Sequence, residues 1–539
     1  MAPLKSHHAA LLLVGILMTA VTMLSWRRET MSVLRGQTTS SASSASVVPR
    51  IAISSRHKLY LNSSGNVYAW GGNDSGQLGN GTTTISSVPV RVKGVGGTGY
   101  LSGITAIEGG NDYSVALGSN GNVYAWGHKY KIGCGDLANT ISSVPLQVKG
   151  VGGTGYLSGI TAISSGDLAS FALDGSGNVY AWGNSSYIGV DDVAGGVSWV
   201  PVRVKGVDGA GYLSGITAIY TGPYRTYALD GNGNVYVWGT DNAVPVRVKG
   251  VGGQGYLTGI KAIAFSSDFT LALDNGGYVY AWGRNLYGAL GDGTTVDSPY
   301  PVLVKGVGGA GNLSGISMIR AGSTHSLALD VSGNVYAWGP GPLLGQGWAI
   351  ANYPTPVQVK GVGGAGSLTG IAAIALESDH SFALGNNGDV YAWGYNFKGE
   401  IGNGTASSNT VLTPERVKSA DGQGYLSGIR DIQTNGAFSL VRSNNGTIYA
   451  WGEAADVSGG GFVNRSLPFQ TVLCSDGFKD SAEGCDDGNA NDGDGCTSSC
   501  AVESGWTCSG TFSVCTAICG SGIRVGSEQC DDDNTVAND

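Results

Sequence analysis

Residues 93–104 read KGVGGTGYLSGI, and Gly94, Gly96 and Gly99 stand at the G-x-G-x-x-G spacing that cradles a dinucleotide pyrophosphate. That chemistry needs a strand before the glycines, a helix whose N-terminal N–H groups meet the phosphates, and an acidic residue about 20 residues further on. The same spacing returns at Gly150, Gly250, Gly306 and Gly361, and it breaks at Asp208 and Asp421. No copy is followed by a 3.6-residue apolar period. ITAI or a close variant comes next, then a polar turn, then SVAL or SLAL. The glycines therefore read as turns between strands, and no nucleotide cofactor is expected.

Histidine is the next candidate for chemistry. His57, His325 and His380 occupy one slot of a repeat in which other copies place Tyr113, Ala169, Arg225, Phe269 and Phe438. A slot that accepts Ala, Phe and Arg is not a general-base position. G-x-S-x-G, H-E-x-x-H and G-K-[ST] do not occur, so no enzyme is expected and no catalytic residue is named.

Eight of the nine cysteines lie near the end of the chain: Cys474, Cys485, Cys496, Cys500, Cys508, Cys515, Cys519 and Cys530. Such density fits disulfides formed in an oxidising compartment, with the pairing left open by the sequence. Cys134 stands alone and is expected as a free thiol. EGCDDGNANDGDG aligns with EQCDDDNTVAND, which suggests two copies of a small module, 474–518 and an incomplete 519–539. Within the first, Asp487, Asn489 and Asn491 match the first three ligand positions of a calcium loop. Asp492 replaces the turn glycine, however, and Ser498 the bidentate glutamate. Calcium is the one cofactor weighed, against polar turns that need no metal.

The elements that would carry any site come from a repeat. Tyr-Ala-Trp-Gly, or Tyr-Val-Trp-Gly once, ends at Trp70, Trp126, Trp182, Trp238, Trp282, Trp338, Trp393 and Trp451 plus one residue. A period of this length marks a solenoid, propeller or array. Each unit offers four short strand candidates rich in Val, Ile, Tyr and Trp; in one copy these are PLQV, ITAI, SFAL and NVYAW. Asn-Gly pairs at Asn120, Asn232, Asn387 and Asn445 supply hairpin turns. The 92 glycines, and a charged fraction of 13% against a usual ~25%, fit an all-β chain of many tight turns. The fold expected over 51–473 is a β-propeller of seven to eight four-stranded blades. Eight follows if one blade is a composite, with IAIS and KLYL from the start of the repeats and SLPFQTV from their end sharing a sheet.

Before the repeats, Lys5 precedes an uncharged stretch, Ala9–Trp26, just long enough to span a bilayer. It reads as a signal-anchor or transmembrane helix within 1–30, followed by a flexible Ser/Thr-rich linker over 31–50. The negative charge of the chain, −9 in all, is concentrated in the tail, and the near-neutral body gives no electrostatic reason to expect nucleic acid as partner.

GNVYAWGGNDSGQLGNG at 65–81 and GSTHSLAL at 322–329 resemble the two halves of the regulator of chromosome condensation repeat. That resemblance implies a β-propeller. It does not imply one function: the family includes a guanine nucleotide exchange factor, β-lactamase inhibitors and a UV-B sensor. The tail, C-D-D-G-N-x-x-x-G-D-G-C-x-x-x-C, resembles a cysteine-rich repeat of bacterial, notably myxobacterial, surface proteins, which implies export.

Binding is the expected function. The segment after each YAWG is the least regular part of the unit and carries Tyr130, Tyr187, Trp199, Tyr287, Trp348, Tyr353 and Phe397. Equivalent loops of a propeller crowd onto one face, where aromatics make interface anchors. The expectation is an exported, cell-surface or secreted scaffold or adhesin that binds a protein or glycan there and the membrane through its N-terminal helix. Alternatives are an inhibitor that clamps a secreted enzyme, an exchange-factor-like activity, and a propeller hydrolase.

Overall fold

The computed structural model describes residues 50–454 and 463–471, apart from 136–138, 192 and 349, and in the tail 484–486, 495–497, 501–509 and 514–517. Eight four-stranded antiparallel sheets follow one another along the chain. The first holds strands Arg50–Ile53, His57–Leu61, Val67–Gly71 and Ser86–Arg91, labelled A to D. The eighth holds Ile429–Asn435, Phe438–Ser443, Ile448–Ala454 and Val463–Thr471. Strand A of each blade packs beside strand A of its neighbours, and those of the first and eighth blades meet. The sheets therefore close into a ring around a central channel.

Both faces of each sheet are buried. Leu59, Val67 and Ala69 of blade 1 pack against Ile104, Ile107, Ala116 and Trp126 of blade 2. The alternation in VYAW produces this: Val and Ala face one neighbouring blade and Trp the other. The glycine that ends each YAWG is a bulge. Register between strands C and D shifts at Ala125/Gly127, and Gly127 has φ +110°. A Cβ there would lie 2.5 Å from the carbonyl oxygen of Asp112, so only glycine fits.

Every blade is made of one continuous stretch of chain, so the expected composite blade does not form. The Pro-Val strand is the outermost strand of the blade that precedes it: Ile141–Gln147 pairs with Val123–His128. The count is eight without any sharing of strands. Closure instead uses side chains. Tyr60 and Trp70 of blade 1 pack against Phe438, Leu440, Ile448 and Ala450 of blade 8. Asn435 Nδ2 donates to the Ile53 carbonyl at 3.2 Å. The seam has its own chemistry. Where blades 2 to 7 carry Ser or Thr and then Ala in strand B, blade 1 carries Lys58 and Tyr60. The Lys58 ammonium lies 4.3 Å from the Phe438 ring centroid, and burial lowers its pKa to about 8.

The stretch 9–26, expected to span a membrane, lies outside the described residues; among those described, no helix is long and apolar enough to cross a membrane. In the tail, Cys485–Cys496 and Cys508–Cys515 are disulfides, the second joining two short strands. Cys474, Cys500, Cys519 and Cys530 lie outside the described residues, as do Asp487, Asn489 and Asn491. Cys134 is a free, buried thiol whose pKa burial pushes up to about 12.

Candidate partner-binding site

In an antiparallel A-B-C-D blade, the A–B and C–D loops leave one face of the ring and the B–C turns and inter-blade connectors the other. The variable segments are the C–D loops, so they share a face. They are pinned there by the repeat tryptophans. Trp126 Nε1 donates to the carbonyl of Gln77 at 2.8 Å, in the C–D loop of the preceding blade. Trp182 does the same to Lys131, Trp238 to Tyr187, Trp338 to Ala289, Trp393 to Leu343 and Trp451 to Glu400, at 2.7–3.0 Å. Each indole thus satisfies its one donor and fixes a neighbour's loop. Three of the loops carry an additional brace. Buried Asn73 accepts from Leu78 N–H and donates to the Thr84 carbonyl, and Asn285 and Asn396 repeat the arrangement.

The histidine slot is structural. His57 Nε2 lies 2.7 Å from Ser114 Oγ of the next blade, and that hydroxyl donates onward to the Gln77 carbonyl. The Ser114 proton is thereby committed, so His57 Nε2–H is the donor of the pair. His325 pairs with Ser381, His380 with Thr434, and Tyr113 and Tyr227 make the equivalent contacts to Ser170 and Thr270. Burial depresses the three imidazoles to about 3, 3 and 4, so they stay neutral.

The aromatic candidates divide into two kinds. Trp199 is half-buried, with Tyr130 edge-on at 4.7 Å and the Lys129 ammonium 4.9 Å from its ring. Trp348 is half-buried and stacks on Tyr353 at 4.1 Å. Tyr187 is half-buried against the blade 3–4 core. Tyr130, Tyr287 and Phe397 are exposed, Phe397 with Tyr395 edge-on to it. Sequence reasoning passed over Leu286, Val296, Ile350 and Tyr224, which are also exposed on this face. Three of these four are aliphatic, and none repeats, so no aromatic or periodic signal marked them. Leu286 and Tyr287, with Phe269 and Arg284, line a cavity of about 150 Å3 between blades 5 and 6.

A second concave region is the channel. One cavity of about 200 Å3 is lined by Arg50, Glu108, Arg320 and Thr434, and another of about 210 Å3 by Tyr220, Phe265, Met318 and Glu377. Burial pushes the Glu108 carboxyl up to about 8, against the opposing pull of Arg50, and Glu377 up to about 7. No cluster of three or more His, Cys, Asp or Glu suited to a metal occurs among the described residues.

Models of the regulator of chromosome condensation (RCC1) repeat match residues 64–117, 276–329 and 387–440, and in a second form 50–77, 160–187, 260–289 and 371–400. The propeller is built of RCC1 repeats. Residues 498–539 match DUF4215, a domain of unknown function. The E3 ubiquitin-protein ligase HERC2 of Mus musculus and of Homo sapiens is 29% identical over 363 residues, 67% of this chain. The match spans only 6% of either ligase. The ultraviolet-B receptor UVR8 of Arabidopsis thaliana is 26% identical over 325 residues, 59% of each chain. Among solved structures, yeast RCC1 (Prp20) bound to Kap60 is similar at 18% identity and a TM-score of 0.47, covering 81% of this chain and 89% of that one.

Proposed function

We infer that this RCC1-repeat propeller is a non-enzymatic scaffold that captures a protein partner on its loop face, on an exported chain. The observation that carries the reading is the set of six indole-to-carbonyl hydrogen bonds. They hold six loops of unlike sequence in fixed positions on one face, a preorganisation that lowers the entropic cost of binding. A protein fits better than a glycan. Trp348 and Tyr353 stack on each other and so cover ring faces a sugar would use, whereas Phe397, Tyr287 and Leu286 present separate anchors. The two disulfides of the tail support export, since such bonds persist in oxidising compartments. Membrane anchoring through the N-terminal stretch and a bacterial cell-surface setting belong to the same proposal. The ligase and photoreceptor names of the relatives differ from one another, and neither is carried over to this chain.

The test is capture from the chain's native extracellular fraction with three full-length forms: wild type, a loop-face form (Tyr130→Ala, Tyr287→Ala, Phe397→Ala) and a form altered on the opposite face (Val151→Ser, Val251→Ser). A protein held by the first and third and lost about tenfold or more from the second, ~1.4 kcal/mol, is the expected result. Equal capture by all three overturns the reading.

A further inference from the structure

The opposite face is as uniform as the loop face is varied. Seven connectors join strand D of one blade to strand A of the next, and each begins with a lysine, from Lys93 to Lys418. They leave on the side of the B–C turns, as the bond from Ile104 N–H to the Gly65 carbonyl at 3.1 Å records. In six connectors a valine follows the Lys-Gly pair. Five of these, Val95, Val151, Val251, Val307 and Val362, sit on a three-residue turn and are 45–49% exposed. A tyrosine stands seven residues after the lysine in five connectors. Tyr156, Tyr212, Tyr256 and Tyr425 are 48–55% exposed, with Lys or Arg side chains 4.4–5.1 Å from the ring centroids.

Duplication of a structural turn explains only part of this. The glycine after the connector lysine is forced by packing: a Cβ at Gly94 would lie 2.1 Å from the Thr98 carbonyl oxygen, and Gly150 and Gly250 repeat the clash. The valines are under no such constraint. An exposed turn position otherwise favours Ser, Asn or Asp, yet an apolar tip stands here in six connectors out of seven. Acidic groups at the face are Asp208 and Asp421 on the connectors, Asp191, whose carboxylate lies 3.9 Å from the Lys205 ammonium, and five turn aspartates. Those five are held by Asn, Tyr or Arg of their own blades, as Asp174 is by Asn178 and Tyr180.

We propose that the connector face docks onto an anionic lipid bilayer, with the valines entering the interface and the lysines and tyrosines lying at headgroup level. Seven connectors of near-constant sequence, spread around one face of eight blades, suit a partner that is flat and chemically uniform, which a protein surface is not. A valine two residues from a lysine suits an apolar boundary beneath anionic headgroups; it offers nothing to a phosphodiester chain. A second copy is disfavoured because the two lysine rings would face each other. The proposal is independent of the loop-face reading, since it concerns other residues on the other side of the ring, and it leaves the loops pointing away from the membrane.

The test is co-sedimentation of the full-length protein with phosphatidylcholine vesicles, with and without phosphatidylglycerol. Because the leader is common to all forms, the comparison is between variants. One carries Val95, Val151, Val251, Val307 and Val362 all changed to Ser; a second carries Lys249→Gln and Lys305→Gln; the loop-face form serves as control. Wild type and control should bind anionic vesicles about tenfold or more tightly than neutral ones, and added salt should weaken that binding. The valine form should lose the preference with an unchanged melting temperature, and the lysine form should lose part of it. Equal binding of the valine form and wild type overturns the proposal. So does valine-independent binding to soluble polyphosphate that accounts for all the anion preference, since the face would then be a polyanion site. No difference between anionic and neutral vesicles overturns it as well.

Discussion

Glu108 and Glu377 are carboxyls held in a channel between strands that bury them on either side. Their raised pKa values mean that they remain largely protonated in the folded ring where the unfolded chain has already ionised them. The stability they contribute is therefore complete below the unfolded value of 4.5, and it is lost as pH rises through 7 and 8. The buried histidines act in the opposite direction, removing stability as pH falls from 6.5 toward 3. Lys58 titrates differently in the two states only above about 8. The window from 6.5 to 8 thus isolates the two carboxyls. Melting temperatures measured across it should fall with rising pH in the wild type. Replacement of both residues, Glu108→Gln with Glu377→Gln, should flatten the slope; an unchanged slope would mean that water in the channel solvates both carboxylates.

At the level of strands and loops, each C–D loop depends on the tryptophan of the following blade. Trp126→Phe keeps most of the ring volume but leaves the Gln77 carbonyl with only the Ser114 hydroxyl as side-chain donor, at a cost of about 0.5–1.5 kcal/mol. Urea denaturation should show that loss, and amide hydrogen exchange should quicken over 73–84 in blade 1, away from the substituted strand. Exchange that quickens only in blade 2 would count against the pinning. Much of this level was readable in the sequence. YAWG fixed the core strand, Asn-Gly the B–C hairpins, and the irregular segments the loops. The phase of the repeat was not readable. A periodic pattern gives a spacing but no origin, so nothing marked the Pro-Val strand as the end of one sheet instead of the start of the next. For the candidate site, the irregular segments marked Trp199 and Trp348 among the loop aromatics, but their burial depends on Tyr130 and Tyr353, partners that only the fold brings alongside. The connector valines escaped notice for the converse reason: constancy along a repeat reads as scaffold.

For the molecule as a whole, closure without a shared blade places the burden on side chains at one seam. Tyr60→Ala should open a cavity there and cost about 3–5 kcal/mol, and exchange should rise together over 50–61 and 429–450 while the middle blades stay protected. A uniform rise around the ring would show that the first and eighth blades are no weaker a junction than any other. The six pinned loops have a consequence of another kind. The acceptors are main-chain carbonyls of Gln77, Lys131, Tyr187, Ala289, Leu343 and Glu400, six different residue types. Every amino acid supplies that carbonyl, so mutation within a loop can rewrite what it recognises while its anchorage persists. Such a ring is suited to diversification: new specificities can be grafted or selected one loop at a time on an unaltered frame.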